Sequence, residues 1–198
     1  VSVPSKDKIV SAEFGANAEY RVFGIQVSKK GVIKTKDSSA GNYIQTNTSS
    51  RLLIFMDDGK VINVPAYIFS SLDNDTIELS ELYDEMNSGS KIIQTISVEE
   101  LQEHKFLYFF SNMGFVKKTK LSEFKDSSGS EICYKLRNKY DMLVNVDISE
   151  NDEEDEIILI TKKAVGIRFK ASSVSSMGKV ASGVTGISLN EEDSAQYG

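Results

Sequence analysis

The sequence repeats one spacing several times, and this repeat limits the chain to an array of similar β units. A short apolar run begins near residues 8, 91 and 141, and a turn follows 23 residues later at residues 31, 114 and 164. A shorter copy runs from residue 51 to residue 65, with its turn at Asp57-Asp58-Gly59. Because a fixed period with unrelated residues in between is typical of repeat architectures, the sequence predicts an all-β repeat array.

Residues 106–124 show most plainly what one unit contains. The run FLYFF at residues 106–110 strongly favours a strand, and Gly114 lies in the turn that follows it. Residues 115–120 then predict the second arm of a β-hairpin, and residues 121–124 a tight return. The first arm is too apolar to face water, whereas the second arm carries three lysines. In the shorter copy the Asp-Gly turn is the strongest short-range hairpin signal, and Pro65 ends the second arm.

We expect one domain, residues 1–198, divided into repeat units. The approximate units are 7–36, 43–70, 90–125 and 140–175, and residues 176–198 open a further unit or close the ring. Further strands are expected over residues 9–10, 131–136 and 187–189, and a helical turn over residues 98–103.

Two local patterns leave room for alternatives. Residues 76–82 fit a strand by the repeat, and a helix by the spacing of the apolar residues from Leu79 to Met86; the strand is favoured. Ala164 stands where the other units have glycine, so we expect the last turn to shift toward Gly166.

Composition is consistent with a sizeable β core and with a reducing compartment. The chain is 40% hydrophobic, with 10 Phe and 8 Tyr, and no stretch is long and apolar enough to cross a membrane. Its start lacks Met and a signal-peptide core, so we expect a soluble, cytoplasmic piece of a longer protein. The one cysteine, Cys133, excludes an internal disulfide, and we expect it to be a packed strand residue.

The net charge of −6 conceals an uneven distribution. Residues 150–156 contain six acidic side chains, and residues 191–193 contain three more. Without these nine charges, the rest of the chain carries +3. The acid is therefore concentrated in predicted loops while the hairpin arms are locally basic, which neither proves nor excludes a polyanionic partner.

No residue pattern predicts catalysis or a metal site. His104, the single histidine, lies in a polar stretch without a cysteine or carboxylate cluster at ligand spacing, and we expect it at the surface. The acidic run 150–156 lacks the glycine turn and the alternation of a calcium loop, so a solvated loop is expected. No glycine-rich loop follows a strand and opens a helix, as a phosphate cradle would.

Two long strings identify a resemblance. FFSNMGFVKKTKLSEF and TKKAVGIRFKASSVSSMGKVASGVTGISL resemble the C-terminal domain of the A subunit of bacterial type IIA topoisomerases, gyrase and topoisomerase IV. The match is specific over about residues 90–190 and weaker over residues 1–90. The resemblance implies a β-pinwheel, a propeller-like ring of four-stranded blades that exchange a strand with their neighbours, with about four blades here.

The resemblance also implies a function. Domains of this family bind and bend duplex DNA on a basic outer rim, for strand passage and supercoil control. The implied partners are duplex DNA, the breakage-reunion domain of the same polypeptide, and an ATPase B subunit in an A2B2 assembly, with no membrane. The catalytic residues, ATP and Mg²⁺ belong to other domains, so this fragment is expected to be non-catalytic and to hold no cofactor.

Basic residues on or beside the second hairpin arms are the DNA contacts that the resemblance implies. They are Lys29, Lys30, Lys34, Lys36, Lys117, Lys118, Lys120, Lys162, Lys163, Arg168, Lys170 and Lys179. Weaker candidates are Lys135, Arg137 and Lys139.

Three hypotheses stand, of which the DNA-binding pinwheel is the first. Gyrase carries a basic, glycine-rich box after its first hairpin, but residues 37–42 contain no Lys or Arg. This difference favours a topoisomerase IV-like or reduced role in which DNA is captured and bent but not fully wrapped. It also leaves open a protein-interaction propeller that has lost DNA binding. A free-standing enzyme is the third hypothesis, against which the empty catalytic inventory argues.

Overall fold

The described chain is built from β-strands and short 3₁₀ turns, which confirms the predicted all-β class. The structure is a computed structural model that describes residues 20–37, 41–72, 76–83, 89–99, 104–125 and 129–197. Its strands are β1 (Val22–Val27), β2 (Val32–Lys36), β3 (Ile44–Asn47), β4 (Arg51–Met56), β5 (Lys60–Pro65), β6 (Thr76–Glu78), β7 (Ile92–Val98), β8 (Phe106–Ser111), β9 (Phe115–Lys120), β10 (Gly129–Ile132), β11 (Leu143–Ser149), β12 (Glu156–Thr161), β13 (Gly166–Lys170), β14 (Val184–Thr185) and β15 (Ala195–Tyr197).

Each predicted hairpin supplies two neighbouring strands of one sheet, which we call a blade. Blade 1 has the strand order β3-β1-β2-β6, blade 2 β10-β5-β4-β7 and blade 3 β11-β8-β9-β14. Blade 4 has three strands in the described residues, in the order β13-β12-β15. In all four, the hairpin that the sequence predicts supplies two adjacent antiparallel arms.

Three blades are completed by a strand from beyond the next hairpin. β6 follows the hairpin of blade 2 but pairs with β2 of blade 1. β10 follows the hairpin of blade 3 and pairs with β5, and β14 follows the hairpin of blade 4 and pairs with β9. This strand exchange between neighbours distinguishes a pinwheel from an ordinary propeller, and it confirms the pinwheel expectation.

The strands on the other side of each hairpin gather around a common axis. β3 contacts β7, β7 contacts β11, and β11 contacts β15. We call these four the inner strands. The exchanged strands therefore lie on the outside of the arc.

The core lies between the blades, because the first arms of blades 2 and 3 are buried on both faces. Leu53 and Phe55 of β4 pack toward blade 3, while Leu52 and Ile54 pack toward blade 1. The next first arm, β8, repeats this arrangement: Leu107 and Phe109 face blade 2, and Tyr108 and Phe110 face blade 4. Burial on both faces explains why these arms are continuous apolar runs without period-2 alternation.

The turn glycines are the points where the exchanged segments dock. The carbonyl oxygen of Gly59 accepts hydrogen bonds from the N–H groups of Cys133 and Tyr134, at 2.9 and 3.0 Å. Gly114 accepts from Gly186 and Ile187 in the same way, at 2.9 and 3.1 Å. Gly59 and Gly114 have φ of 82° and 78°, and an added Cβ would lie within 2.5 Å of a carbonyl oxygen of the docked segment. Glycine is required by conformation and by space at once.

The predicted shift of the last turn toward Gly166 is wrong. The N–H of Ala164 donates to the Thr161 carbonyl at 2.9 Å, as Gly114 N–H donates to Ser111. Ala164 itself takes φ of 59° and is exposed. Among the described residues no exchanged segment docks at this turn, so Ala164 meets only the conformational cost of positive φ.

Of the other local expectations, some are confirmed and others are wrong. The strand expected within residues 76–82 is present as β6, followed by a 3₁₀ turn at Leu79–Glu81. The strand expected over 131–136 ends at Ile132, and residues 187–189 are not a strand. Val98 ends β7, whereas residues 100–103 of the expected helical turn, and the expected strand at 9–10, lie outside the described residues.

Candidate nucleic-acid interface

The hairpin tips are held at one end of the blades by the neighbouring inner strands. The carbonyl of Lys29 accepts from Ile92 N–H at 3.0 Å, and that of Asp57 accepts from Leu143 N–H at 3.0 Å. Asn112 accepts from Ala195 N–H at 2.8 Å, again in the next blade. The same backbone hydrogen bond to the next blade therefore recurs at three successive tips. Equivalent tip residues thus lie at equivalent places on one face.

Four of the predicted contacts lie at these tips. Lys29 and Lys30 form the tip of blade 1, and Lys162 and Lys163 occupy the equivalent positions in blade 4; all four are exposed. The Nζ of Lys163 donates to the Glu191 carbonyl at 2.8 Å, so that side chain is partly engaged. In blades 2 and 3 the same positions hold Asp57-Asp58 and Asn112-Met113. The basic tips are thus those of the first and last blades.

The second arm of blade 1 exposes two more predicted contacts. Lys34 and Lys36 are exposed, whereas Ile33 and Thr35 between them are buried. This alternation is typical of a strand with one solvated face. β5 and β9 have interiors buried on both faces.

Lys117 does not lie on an exposed rim, so that prediction is wrong. Its side chain is fully buried and its Nζ donates to the carbonyl oxygens of Cys133 and Lys179, at 2.5 Å each. The ammonium also lies 4.5 Å from the centre of the Phe109 ring. Position 117 is three residues after the turn glycine, where blade 2 has the buried Ile62. Lys117 thus faces the preceding blade, where it ties two exchanged segments together.

Burial of the Lys117 ammonium gives a testable pH dependence. Desolvation lowers its pKa from 10.5 to about 8. Between the folded pKa of about 8 and the unfolded pKa of 10.5, Lys117 is neutral in the native state and protonated in the unfolded chain. Unfolding therefore takes up a proton, and the free energy of unfolding rises with pH. Between pH 8 and 10.5 we therefore expect the wild type to gain up to about 3 kcal/mol relative to Lys117→Met.

Urea unfolding of both proteins at pH values below, within and above that window measures this gain. The comparison with Lys117→Met removes the contribution of other titrating groups that the two proteins share. A difference in unfolding free energy that stays constant across the window would contradict the assignment.

Lys118 is likewise buried, which corrects its assignment as a rim contact. It forms an ion pair with Asp152 in which the two side chains are 7% and 17% exposed. The same carboxylate accepts a hydrogen bond from the Tyr108 hydroxyl, whose oxygen also lies 3.0 Å from the Ala171 carbonyl oxygen. Burial and then the Asp152 carboxylate raise the pKa of Tyr108 far above its usual range. The network joins blade 3 to the acidic segment that leads into blade 4.

The acidic run is more than the solvated loop expected from the sequence. Glu150 pairs with Lys105 at 2.9 Å, Asp152 pairs with Lys118, and Glu156 accepts from the Arg168 Nε at 2.7 Å. Glu153 and Glu154 remain exposed. The run precedes β12, whose six residues lead to the tip of blade 4, so it lies about 20 Å from that tip. Its negative charge is therefore at the end of the blades opposite the basic tips.

Lys179 is engaged within the domain. Its Nζ pairs with Glu131 at 2.5 Å, and its N–H donates to the Glu123 carboxylate at 2.8 Å. The ammonium lies 5.5 Å from the centre of the Phe124 ring. These bonds fasten the segment before β14 to the outside of blades 2 and 3.

The three weaker candidates sit in the loop after β10. Lys135, Arg137 and Lys139 are not buried. The Arg137 guanidinium stacks 3.9 Å from the centre of the Phe115 ring and donates to the Gly183 carbonyl at 2.7 Å. Arg137 therefore holds the exchanged segment, and a phosphate contact would compete with that role.

Seven predicted contacts are exposed, and their ammonium groups make neither an ion pair nor a hydrogen bond among the described residues, whereas Lys163 donates to the Glu191 carbonyl. We call them the unpaired lysines: Lys29, Lys30, Lys34, Lys36, Lys120, Lys162 and Lys170. Arg168 is exposed but is paired with Glu156.

No catalytic or metal-binding arrangement emerges in the described part of the chain. His104 is exposed, as predicted. Cys133 is buried as predicted but follows β10, and desolvation raises the pKa of its thiol well above its usual range. Within the described ranges no three His, Cys, Asp or Glu side chains cluster as metal ligands, and no helix is long and apolar enough to span a membrane.

Sequence reasoning missed the carboxylates that pair with Lys105, Lys118 and Lys179. Asp152, Glu131 and Glu150 each pair with a lysine at least 34 residues away in the sequence. Only the density of acidic residues in the run 150–156 hinted that some of them have partners. The pairing itself depends on the blade geometry.

Comparison with known proteins agrees with this architecture. A family model described as "DNA gyrase C-terminal domain, beta-propeller" matches residues 105–150 and 155–195. The A subunit of DNA gyrase from Clostridium acetobutylicum is 31% identical over 156 residues, which are 76% of this chain and 18% of that protein. The A subunit of DNA topoisomerase 4 from Bacillus subtilis is 28% identical over 151 residues, 75% of this chain and 18% of that protein. The chain thus spans about a fifth of the length of these relatives.

Solved structures show the same fold. The C-terminal domain of a DNA topoisomerase IV superposes with a TM-score of 0.75 at 22% identity, covering 89% of this chain and 60% of that one. A DNA gyrase A C-terminal domain gives a TM-score of 0.67 at 20% identity, covering 88% and 63%. From the matched family model, the similar relatives and the exchanged blades, the chain belongs to the family of C-terminal β-pinwheel domains of gyrase and topoisomerase IV A subunits.

Proposed function

We propose that this domain binds duplex DNA without reading its base sequence, and bends it, as a non-catalytic part of the A subunit of a type IIA topoisomerase. The observation that carries the proposal is the set of seven unpaired lysines, spread over blades 1, 3 and 4. Lysines on a curved surface neutralise backbone phosphates and release counterions, which gives affinity without base contacts.

The charge arrangement supports binding even though the chain carries a net charge of −6. Three carboxylates of the acidic run are taken up by ion pairs with Lys105, Lys118 and Arg168. The run lies at the end opposite the basic tips. DNA lying toward the tips of blades 1 and 4 would therefore meet lysines, with the run about two Debye lengths away. Asp193 lies at the tip of blade 4, where its carboxylate accepts from the Lys163 N–H at 3.1 Å, so the tip of blade 1 is the more strongly basic of the two.

The rest of the enzyme would supply the chemistry. In this proposal the breakage-reunion domain of the same polypeptide and an ATPase B subunit carry the catalytic residues, ATP and Mg²⁺, in an A2B2 assembly. The pinwheel would present a DNA segment for passage and so control supercoiling. Bending a short duplex costs roughly 1–6 kcal/mol, which the phosphate contacts must offset.

The absence of basic residues from residues 37–42 favours capture and bending over full wrapping. Loss of a basic segment beside the first hairpin removes phosphate contacts where the duplex would continue around the ring. This points to a topoisomerase IV-like role within the family.

Binding of a labelled duplex of a few tens of base pairs, titrated over salt, tests the proposal. We expect affinity independent of base sequence that falls steeply with salt. If all seven unpaired lysines contact phosphates, the log-log slope should be about −6, and Lys120→Ala should flatten it by about 1. Absence of binding at low salt would overturn the DNA proposal for this domain.

One observation favours a protein-interaction module as the second candidate. Ile158 and Ile160 of β12 are 53% and 41% exposed on the face of blade 4 that points away from blade 3. Equivalent residues in blade 3, Tyr108 and Phe110, are buried against a neighbour. A protein could cover this apolar face, and this interpretation would replace the first if the salt titration shows no DNA binding.

A further inference from the structure

One sheet face of blade 1 points away from blade 2. In blades 2 and 3 the equivalent face points toward the preceding blade, and the residues on it differ. Lys34 and Lys36 stand three and five residues after the turn glycine, where blade 2 has the buried Ile62 and Val64. Those two residues pack against blade 1. The lysines therefore occupy the positions that, in the next blade, are used to bury a blade against its predecessor. We call the face that carries them the outward face of blade 1.

The residues that pair with the two lysines are polar or small, and Val22 and Val32 share the face by strand alternation. Gly24 pairs with Lys36, Gln26 with Lys34, and Gln45 with Gly24, so these residues share the face. Thr76 of the exchanged strand pairs with Lys34. A sheet face of this composition is not suited to packing another blade, because burying two ammonium groups without partners is costly.

The outward face carries little negative charge near the two lysines. The described strand pairing puts one carboxylate on it, Glu78, which is paired with Val32. At the far edge of the face, the Glu99 carboxylate accepts a hydrogen bond from the Asn47 amide at 2.6 Å. Asp37, next in sequence to Lys36, is held in an ion pair by Arg21. Neither Lys34 nor Lys36 forms an ion pair among the described residues. Lys105 and Lys118 are paired with carboxylates, whereas the charges of Lys34 and Lys36 can attract an anionic ligand.

The geometry suits a regular line of anions. Two residues along a strand advance about 6.7 Å, which is close to two base steps of a duplex at about 3.4 Å each. Lys29 and Lys30 lie at the tip of the same hairpin and extend the basic surface beyond β2. The ligand that matches alternating lysines on an extended strand is a phosphate backbone.

We propose that the outward face of blade 1 is a phosphate-binding surface on which duplex DNA lies flat against the sheet, in addition to any contacts at the outer edges of the blades. This inference rests on the proposed DNA-binding function and adds the surface that DNA occupies. The duplex then crosses the end of the arc at blade 1 instead of following only its circumference.

The double variant Lys34→Ala/Lys36→Ala tests this surface. Both side chains are exposed, so folding is kept, which thermal unfolding verifies. Loss of two phosphate contacts should flatten the log-log salt slope of duplex binding by about 1.8. The matched control Lys60→Ala/Lys105→Ala removes the same charge from residues paired with Asp58 and Glu150, and it should leave the slope unchanged.

A gain of binding gives a second, independent readout. Gln45→Lys adds a charge to the outward face and should steepen the slope by about 0.9, while Glu78→Gln should raise affinity. If the wild type binds with a steep slope but Lys34→Ala/Lys36→Ala behaves like its control and Gln45→Lys adds nothing, the outward face is not the surface and the proposed function stands. If the wild type binds no DNA at low salt, both proposals fail.

Discussion

Replacing Gly59 with Ala is expected to lower the free energy of unfolding by about 2–5 kcal/mol. Gly59 has φ of +82°, and a Cβ there would lie 2.3 Å from the carbonyl oxygen of Tyr134. The left-handed conformation costs an alanine about 1–2 kcal/mol, and forcing backbone apart in a packed region costs about 1–3 more. The Tyr134 segment cannot move aside cheaply, because Cys133 and Tyr134 both donate to the Gly59 carbonyl.

Two matched variants separate the cost of the left-handed backbone conformation from the cost of the steric clash. Gly89 also has φ of +82° but nothing within 4 Å of its would-be Cβ, so Gly89→Ala should cost only the conformational part, about 1–2 kcal/mol. Ala164→Gly, at φ of 59°, should stabilise the protein by up to about 1 kcal/mol. Urea unfolding of the three variants measures these differences. Equal losses in Gly59→Ala and Gly89→Ala would show that the docked segment does not require the glycine.

Asp152→Ala is expected to destabilise the protein by about 3–5 kcal/mol. The substitution leaves the Lys118 ammonium, 7% exposed, without its carboxylate. It also removes one hydrogen-bond partner of the buried Tyr108 hydroxyl. The rings of Phe106 and Tyr108, whose centres lie 4.2 and 5.9 Å from the ammonium, only partly compensate for the lost charge.

The controls for this prediction lie beside the pair. Glu153→Ala removes an exposed carboxylate from the same run and should change stability by less than about 0.5 kcal/mol. Lys118→Met/Asp152→Ala removes both charges and should recover much of the loss, because no unpaired charge remains buried. Chemical denaturation of the three proteins is the measurement. A double variant as unstable as Asp152→Ala would mean that the segment needs Asp152 for something other than Lys118.

Local sequence features predicted the hairpins because each is built from contiguous residues. The aromatic arm at residues 106–110 and the turn at Gly114 lie where they were expected. Strand exchange could not be derived in this way, since β10 is only four residues and pairs with a strand that ends at Pro65. The resemblance, not the residues, indicated it. Ala164 misled because the sequence does not reveal whether a segment docks at a turn.

The basic residues were predicted less well, for a physical reason. Lys34 and Lys117 both stand three residues after a turn glycine, and the sequence offers no local difference between them. Lys34 is exposed because no described blade precedes blade 1, whereas Lys117 faces blade 2 and is buried. Solvation of a second-arm lysine therefore depends on the order of the blades, which a strand pattern alone does not contain.

The exchanged strands also set the order in which the domain is finished on the ribosome. The second arm of blade 2 ends at Pro65, and the strand that pairs with it begins only at Gly129. In blade 3 the same number of residues separates the end of the second arm, Lys120, from the start of its exchanged strand, Val184. At roughly 5–20 residues per second, such an interval lasts about 3–13 seconds. Throughout that time the newly made arm presents an open sheet edge to other nascent chains. Synthesis speed should therefore affect the yield of this domain more than that of a propeller whose blades are each made from contiguous sequence.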